Sequence, residues 1–306
     1  MKKVVLAGGS GFLGQALARS LLADGYEVIV LGRSVSSTDA VGRFVTWDGK
    51  QLGEWKKELE GAVALFNLTG RSVDCRYTEA NRELILNSRV DSTRVLGEAI
   101  RECSDIPKVW LNSSTATIYE DRRGELEPHD ERSDDLGSGF SVGVAQAWEK
   151  AFRDSANEGV RKVALRVSIV LGKGGGAFPV MKRFAKLGLG GAQGPGSQWM
   201  SWLHVDDWVG VARFLMNNAS IEGPVNLASP NPVTNASFMR EMRRRFAPLG
   251  CGLPAPTPLV HLGAFFMRTA PELVLKSRKV VSSVLADCGY RFIYPDISSA
   301  LENLSE

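Results

Sequence analysis

Val4-Val5-Leu6-Ala7-Gly8-Gly9-Ser10-Gly11-Phe12-Leu13-Gly14 is the stretch that decides the fold. Four apolar residues read as a strand, and they run straight into a glycine turn in which Gly8, Gly11 and Gly14 recur at every third position. Gly8 permits a tight turn at the strand end. Gly11 lets the backbone approach a pyrophosphate, and Gly14 lets the next helix pack closely on the sheet. The helix predicted over Phe12–Ala23 points its free N–H groups and its positive dipole end at such a phosphate. A bare Gly-x-x-Gly-x-x-Gly carries little weight; a strand before it and a helix after it give it meaning.

Outward from that turn, short apolar runs alternate with longer helical patterns. The strand candidates are Val4–Ala7, Val28–Leu31, Ala64–Leu68, Val109–Ser113 and Val163–Val167, and the helix candidates are Phe12–Ala23, Arg82–Glu102 and Val142–Ala156. Such alternation implies right-handed βαβ crossovers and a parallel sheet. The second half changes character. Gly172 to Gly196 is glycine-rich around a short helix, Phe178–Lys186, and residues 231 to 306 carry many prolines and basic residues. Irregular segments of this kind cap the carboxyl edge of a sheet and supply a pocket. The expected fold is α/β, a Rossmann-type doubly wound parallel sheet with a small C-terminal substrate-binding lobe. Residues 1–167 form the dinucleotide-binding domain, its sheet completed by parts of 203–228; residues 168–202 and 229–306 form the lobe.

Composition narrows the class. The 306 residues are 44% hydrophobic and 23% charged, an ordinary globular balance. Lysine and arginine number 37 against 34 acidic residues, spread without a basic tail or stripe, so nucleic acid is not an expected partner. Cys75, Cys103, Cys251 and Cys288 are too scattered for a metal site and read as reduced thiols of a cytoplasmic protein. The apolar run after Lys3 is too short for a secretory leader. No stretch reaches the roughly 18 apolar residues of a membrane span.

The end of the second strand selects the cofactor. An acidic residue about 20 positions past the glycines would bind the ribose 2′-hydroxyl of NAD. Here Val28-Ile29-Val30-Leu31 ends in Gly32-Arg33-Ser34, offering a guanidinium and a hydroxyl suited to a 2′-phosphate. NADP(H) is the cofactor this favours, with an exposed loop arginine as the alternative.

Further segments follow in a characteristic order. They are Asn67-Leu68-Thr69-Gly70, Ser88-Arg89-Val90, Thr93-Arg94, Ser113 to Tyr119, Arg166 to Gly172, Leu187 to Gly191, Gln198 to Asp207, Gly223-Pro224-Val225-Asn226, Asn231 to Asn235 and Gly289 to Pro295. With the opening turn, this series resembles the extended and atypical short-chain dehydrogenase/reductase superfamily. More narrowly, it resembles the NAD(P)-dependent epimerase/dehydratase-like proteins that carry a small C-terminal domain of unknown function. The resemblance implies cofactor contacts from Gly8, Gly11, Phe12, Leu13, Gly14, Arg33 and Ser34. It adds Asn67, Leu68, Thr69 and Gly70 along the adenine ribose and pyrophosphate, and Ser113 and Ser114 beyond them. Asp48, after Trp47, stands where relatives often hold an acid near the adenine ring, or is a simple turn aspartate.

Superfamily chemistry uses a Ser or Thr, a Tyr and a Lys. The tyrosine exchanges a proton with the substrate oxygen, and the lysine, one helical turn on, lowers its pKa. Thr115 matches the hydroxyl position. The Tyr/Lys pair is missing: aligned on Trp148-Glu149, Phe140 takes the tyrosine place and Val144 the lysine place, and a shift of one gives Ser141 and Ala145. Tyr119, leaving the same strand end as Thr115, is the substitute candidate, or else lines or packs under the pocket. His204 reads as structural, with Asp206 or Asp207, and His129 lies in a charged segment, Asp121 to Asp135, that reads as solvated or as a mobile lid. Ser168, Gly172 and Phe178 to Trp202 would line the substrate side by family position. Arg76 and Arg89 are either anion contacts or ordinary surface or capping arginines. No residues show metal-ligand spacing.

Two functional classes remain open. One is an NADP(H)-dependent oxidoreductase or epimerase acting on a small polar, nucleotide-sugar-like molecule. The other is a catalytically silent NADP(H)-binding sensor or protein-partner module. Relatives often pair through the two helices flanking the active-site strand, which leaves a homodimer open.

Overall fold

The computed structural model describes residues 1–34, 41–155, 158–248 and 250–306. The first half runs β1 (Lys3–Ala7), α1 (Phe12–Ala23), β2 (Glu27–Gly32), β3 (Arg43–Thr46), β4 (Ala64–Asn67), α2 (Glu79–Arg101), β5 (Val109–Thr115), α3 (Phe140–Asp154) and β6 (Arg161–Val167). There follow β7 (Ile169–Gly172), β8 (Gly175–Gly176), α4 (Phe178–Lys186), β9 (Trp199–Met200), β10 (Trp202–His204), α5 (Val205–Asn217), β11 (Gly223–Leu227) and β12 (Val233–Thr234). The chain closes with α6 (Asn235–Phe246), α7 (Thr257–Met267), α8 (Glu272–Leu275), α9 (Ser283–Asp287) and α10 (Ile297–Asn303). Ala156, the last residue of the helix predicted from Val142, lies outside the described residues.

Seven strands pair in parallel in the order β11-β6-β5-β4-β1-β2-β3, a Rossmann-like α/β sheet. Alternation along β1 shows how it is held. Val4 and Leu6 join Leu17, Ala18 and Leu21 of α1 and Trp208 and Val211 of α5 on one face. Val5 and Ala7 face Val95, Leu96 and Ala99 of α2 on the other. Strands buried on both faces read as continuous apolar runs, which is why β1, β2 and β4 stand out in the sequence. The edge strand β3 does not: Arg43 and Thr46 are exposed, and no apolar run marks it.

A third core unites the C-terminal segments. Phe178 of α4, Phe238, Met239 and Met242 of α6, and Ala300 and Leu301 of α10 pack against Leu171 and Trp202. The latter two lie on β7 and β10, which pair in a separate small sheet with β8. Among the described residues no helix is long and apolar enough to cross a membrane. All four cysteines are free thiols.

Candidate functional site

Because every strand of the large sheet runs the same way, its carboxyl ends share one edge. Register aligns Ala7 with Leu31 on one side and with Asn67 on the other, and Asn67 with Asn112. The loops that follow these residues carry the sequence-predicted cofactor positions, so chain folding brings Gly8–Gly14, Arg33–Ser34, Leu68–Gly70 and Ser113–Thr115 to one rim. In open α/β sheets ligands bind in the crevice outside the carboxyl ends of the strands.

The glycine turn is built by close backbone approach. Gly8 has φ +74°, and a Cβ on it would lie 2.9 Å from Thr69 N. A Cβ on Gly14 would meet Gly9 Cα at 2.5 Å, so helix α1 sits against its own turn. Gly9 is equally confined, 2.7 Å from Leu6 Cβ, a demand the three-residue spacing did not reveal. At Gly11 the nearest protein atom to such a Cβ is 3.8 Å away, so the space over Gly11 is open. Gly11 caps α1 without a side-chain hydrogen bond, and the first turn holds no acidic residue. The N-terminal N–H groups and the positive end of the helix are therefore free to meet an anion.

One side chain outside the predicted set, Gln15, fixes this turn. Gln15 donates from Nε2 to Gly9 O at 3.1 Å and accepts from Val41 N at 3.3 Å. Phe12 points the other way, into the β7–β8 hairpin: a Cβ on Gly172 would lie 2.5 Å from its Cζ, and one on Gly175 2.8 Å from its Cβ. Those glycines form a socket for the Phe12 ring.

Arg33 and Ser34 are exposed just past β2, with no carboxylate beside them in sequence. Gly32 lets the Phe44 ring come within 2.9 Å of where a Cβ would stand. Asp48 is exposed beyond β3 and accepts from Lys50 N and Gln51 N at 2.8 and 3.1 Å. Those backbone bonds hold its carboxyl below the usual range and give it the geometry of a turn aspartate.

Asn67 is fully buried. Its amide donates to Asn112 Oδ1 at 2.7 Å and Thr93 Oγ1 at 3.1 Å, and its Oδ1 accepts from Thr69 N at 3.2 Å. Thr69 in turn meets Ser92 at 2.6 Å, Ser88 accepts from Arg71 N at 2.9 Å, and Arg89 donates to Arg71 O at 3.1 Å. Helix α2 thus moulds the Leu68–Arg71 loop through the Ser88-Arg89 and Thr93 positions that the sequence singled out. Burial lowers the Arg89 pKa to about 10, so the group keeps its charge at neutral pH. Its guanidinium is engaged by carbonyls and the Trp148 ring, 5.1 Å away, a structural and not an anion-facing placement.

The catalytic candidates divide. Thr115, half-buried at the end of β5, donates to Thr117 Oγ1 at 3.0 Å and caps the short turn after it. Ser114 faces the other way and donates to buried Glu149 at 2.6 Å, so its side chain is withdrawn from the rim. Tyr119 is buried. Its hydroxyl donates to Asn226 Oδ1 at 3.0 Å and accepts from Arg166 at 2.8 Å, while its ring stacks on His129 at 5.0 Å. Burial raises its pKa despite the Arg166 charge. That is the placement of a packing residue, the alternative the sequence offers beside a proton-transfer substitute. Phe140 opens α3 and meets Tyr77 edge-on at 5.0 Å; Val144 is buried one turn later.

Most of the segment Asp121 to Asp135 is solvent-exposed, and it is tied down at His129 and Glu131. His129 is buried, donates from its backbone to Lys279 O at 2.8 Å, and accepts from Val281 N at 2.9 Å. Glu131 accepts from Asn226 N at 2.7 Å and Ser283 N at 2.8 Å. These bonds strap residues 277–283 to the sheet. Other candidates are likewise structural. His204 caps α5 by accepting from Asp206 N at 3.1 Å, and Asp207 accepts from Ile293 N at 2.6 Å. Ser168 donates to Leu227 O at 2.7 Å, Trp202 is fully buried, and Arg76 donates to Phe265 O at 2.9 Å near the end of α7. No group of three or more His, Cys, Asp or Glu residues could hold a metal ion among the described residues.

Similarity to known proteins follows the same architecture. The model of the NAD dependent epimerase/dehydratase family matches residues 4–228, and a domain of unknown function, DUF1731, matches residues 255–304. The epimerase family protein YfhF of Bacillus subtilis is 31% identical over 307 residues, covering 98% of this chain and 97% of the relative. Human epimerase family protein SDR39U1 is 30% identical, covering 99% of each. The crystal structure of human SDR39U1 (isoform 2) with NADPH superposes with a TM-score of 0.85 at 29% identity, over 99% of both chains. UDP-N-acetylglucosamine 4-epimerase from Bacillus cereus shares the fold at 19% identity and a TM-score of 0.78. With its parallel sheet, its glycine turn and these matches along nearly the whole length, the chain belongs to the NAD dependent epimerase/dehydratase family.

Proposed function

We propose that the protein binds NADP(H) along the carboxyl rim of the sheet and transfers hydride to or from a small polar substrate held between that rim and the C-terminal lobe. The observation that carries the cofactor half is the uncapped, acid-free N-terminus of α1 beneath an open Gly11, with Arg33 and not a carboxylate following β2. The NADPH in the human relative's structure supports the same choice. Gly8, Gly11, Phe12, Leu13 and Gly14 would hold the pyrophosphate, Arg33 and Ser34 the 2′-phosphate, and Leu68 to Gly70 the adenine ribose side, with Asp48 at the adenine edge. Asn67 acts through the loop it shapes, and Ser113 contributes at the next strand end. Bound there, NADP(H) supplies a hydride donor or acceptor at the nicotinamide C4.

On the protein side, Thr115 is the hydroxyl nearest in role to the superfamily's substrate-orienting group. Phe140 and Val144 can neither give nor take a proton. A silent NADP(H) sensor or partner-binding module is therefore the second reading, and the burial of Tyr119 favours it. Titration of the purified protein with NADPH and NADH tests the first claim. Preference for NADPH by about tenfold or more, lost in Arg33→Ala, is expected for a charge-assisted phosphate contact; equal affinities would sink it. Absorbance at 340 nm, followed with sugar nucleotides and small carbonyl compounds, separates turnover from silent binding.

A further inference from the structure

Helix α7 lies on the surface although its sequence is apolar, Leu259-Val260-His261-Leu262-Gly263-Ala264-Phe265-Phe266-Met267 after Thr257-Pro258. Ala264 is its one buried residue. Leu259, Leu262, Phe265, Phe266 and Met267 are exposed, Phe266 by 73%. A helix that is apolar all round belongs in a core or in lipid, and the chain itself leaves most of this one open. The residues just before α7 run beside a second apolar segment. Leu253 N donates to Gly188 O at 2.8 Å, Gly191 N to Leu253 O at 3.1 Å, and Ala255 N to Ala192 O at 2.9 Å. This pairing sets exposed Leu253 next to exposed Leu187 and Leu189. A gathering of this kind, unlike single surface leucines, marks an interaction face.

The charges that border it have one sign. Residues 246–267 contain no Lys, Arg, Asp or Glu. No acidic residue occurs in 159–205 or in 242–271, the two stretches that meet here, yet they carry exposed Arg183 and Lys186 towards the end of α4 and exposed Arg268 just past α7. The Arg76 guanidinium lies 4.5 Å over the Phe265 ring. Apolar side chains with cations at their margin match an anionic phospholipid surface, where rings enter the acyl boundary and cations stay among the headgroups. A second copy of the chain fits less well, because a two-fold contact through this face would bring two basic margins together. The 11 residues of α7 extend about 17 Å, so the helix is suited to lie along a bilayer and is too short to cross it.

We propose that α7, with Leu253, Leu187 and Leu189 beside it, is a docking face for an anionic phospholipid surface. Leu262, Phe265 and Phe266 enter the acyl boundary, and Arg183, Lys186 and Arg268 hold the headgroups. None of these residues belongs to the glycine turn, the Arg33–Ser34 corner or the Leu68–Gly70 loop, so the proposal stands apart from the cofactor reading.

Flotation of the full chain with vesicles of phosphatidylcholine, with and without phosphatidylglycerol, tests it. The chain should bind the anionic vesicles about tenfold or more tightly than the neutral ones, and added salt should release it. Leu262→Glu with Phe266→Glu should weaken anionic binding by about tenfold or more. Arg183→Glu with Lys186→Glu should abolish the preference for phosphatidylglycerol. All four positions are exposed or at the surface of α4 and α7, so melting temperature and NADPH affinity should match wild type, which separates lost docking from lost folding. In Phe266→Trp, indole emission should shift to the blue when anionic vesicles are added. No binding by wild type, equal binding to both vesicles, unchanged binding in the double glutamate variant of α7, or no shift in Phe266→Trp would each overturn the proposal. A dimer seen by light scattering without vesicles, and dissociated by the same two glutamates, would overturn it in favour of a second copy.

Discussion

Arg166 grips Glu149 with two parallel hydrogen bonds, Nε to Oε1 at 2.8 Å and Nη2 to Oε2 at 2.9 Å, where both side chains are nearly inaccessible to solvent. The pair joins β6 to α3 and extends to Ser114 on β5 and, through Tyr119, to Asn226 on β11. Burial opposes the Arg166 charge, but the Glu149 bonds and attraction outweigh it and push the pKa up.

Glu149→Ala leaves a buried guanidinium without its carboxylate and should cost about 3–5 kcal/mol. The double replacement Glu149→Leu with Arg166→Met should recover most of that loss, since a well-packed apolar pair can substitute for a buried ion pair. Urea midpoints at constant m-value read both. A single-variant loss below about 1 kcal/mol would show the pair to be idle.

Gly11 and Gly14 should respond in opposite ways to the same change. Gly14→Ala drives a methyl into Gly9 and should destabilise by about 1–3 kcal/mol through overpacking. Gly11→Ala, with open space above it, should fold within about 1 kcal/mol of wild type, yet bind NADPH more weakly because the methyl occupies the approach to the helix end. Equal melting temperatures for the two variants would contradict the interlock of Gly14 with Gly9.

Tyr119→Phe removes one hydroxyl that bridges Arg166 and Asn226. A stability loss of about 1–3 kcal/mol is expected from the two stranded partners, with NADPH affinity unchanged. If turnover is found with any substrate, it should persist in this variant at a temperature where the protein stays folded. Abolition of turnover in a fully folded Tyr119→Phe would restore the tyrosine to the chemistry.

Acid should loosen the strap before it unfolds the sheet. Burial, reinforced by the Arg122 guanidinium, holds the His129 imidazole below its ordinary 6.5, and burial does the same to His204. The folded state refuses protons that the unfolded chain accepts. This contribution is fully present above about pH 6.5 and is lost as pH falls through the folded-state values. Asp207, whose carboxyl is raised by burial, works in the opposite sense in the carboxylate range. Stability measured from pH 7.5 downward should fall less steeply in His129→Gln, and identical slopes would refute the assignment.

The legible parts of this molecule are those written locally. Val4 to Gly14 carries a strand, a turn and a helix start within eleven positions, and each demand is met by neighbours in sequence. The apolar residues Phe140 and Val144, one helical turn apart, are likewise a local reading. What escaped was long-range. The partners of Tyr119 lie 47 and 107 residues away, and His129 is buried by residues near Lys279, so nothing beside either residue announces its burial. Gln15 carries no local signal of its role, because its partner Val41 belongs to a different connection.

The ring of Phe12, lodged among Gly172, Gly175 and Gly176, has a mechanical meaning. It works as a dowel between the glycine turn and the first hairpin after β6. A lobe that swung away from the sheet as a rigid flap would have to withdraw that ring and leave an apolar cavity behind it. At that joint the glycine turn and the β7–β8 hairpin are therefore packed as one body.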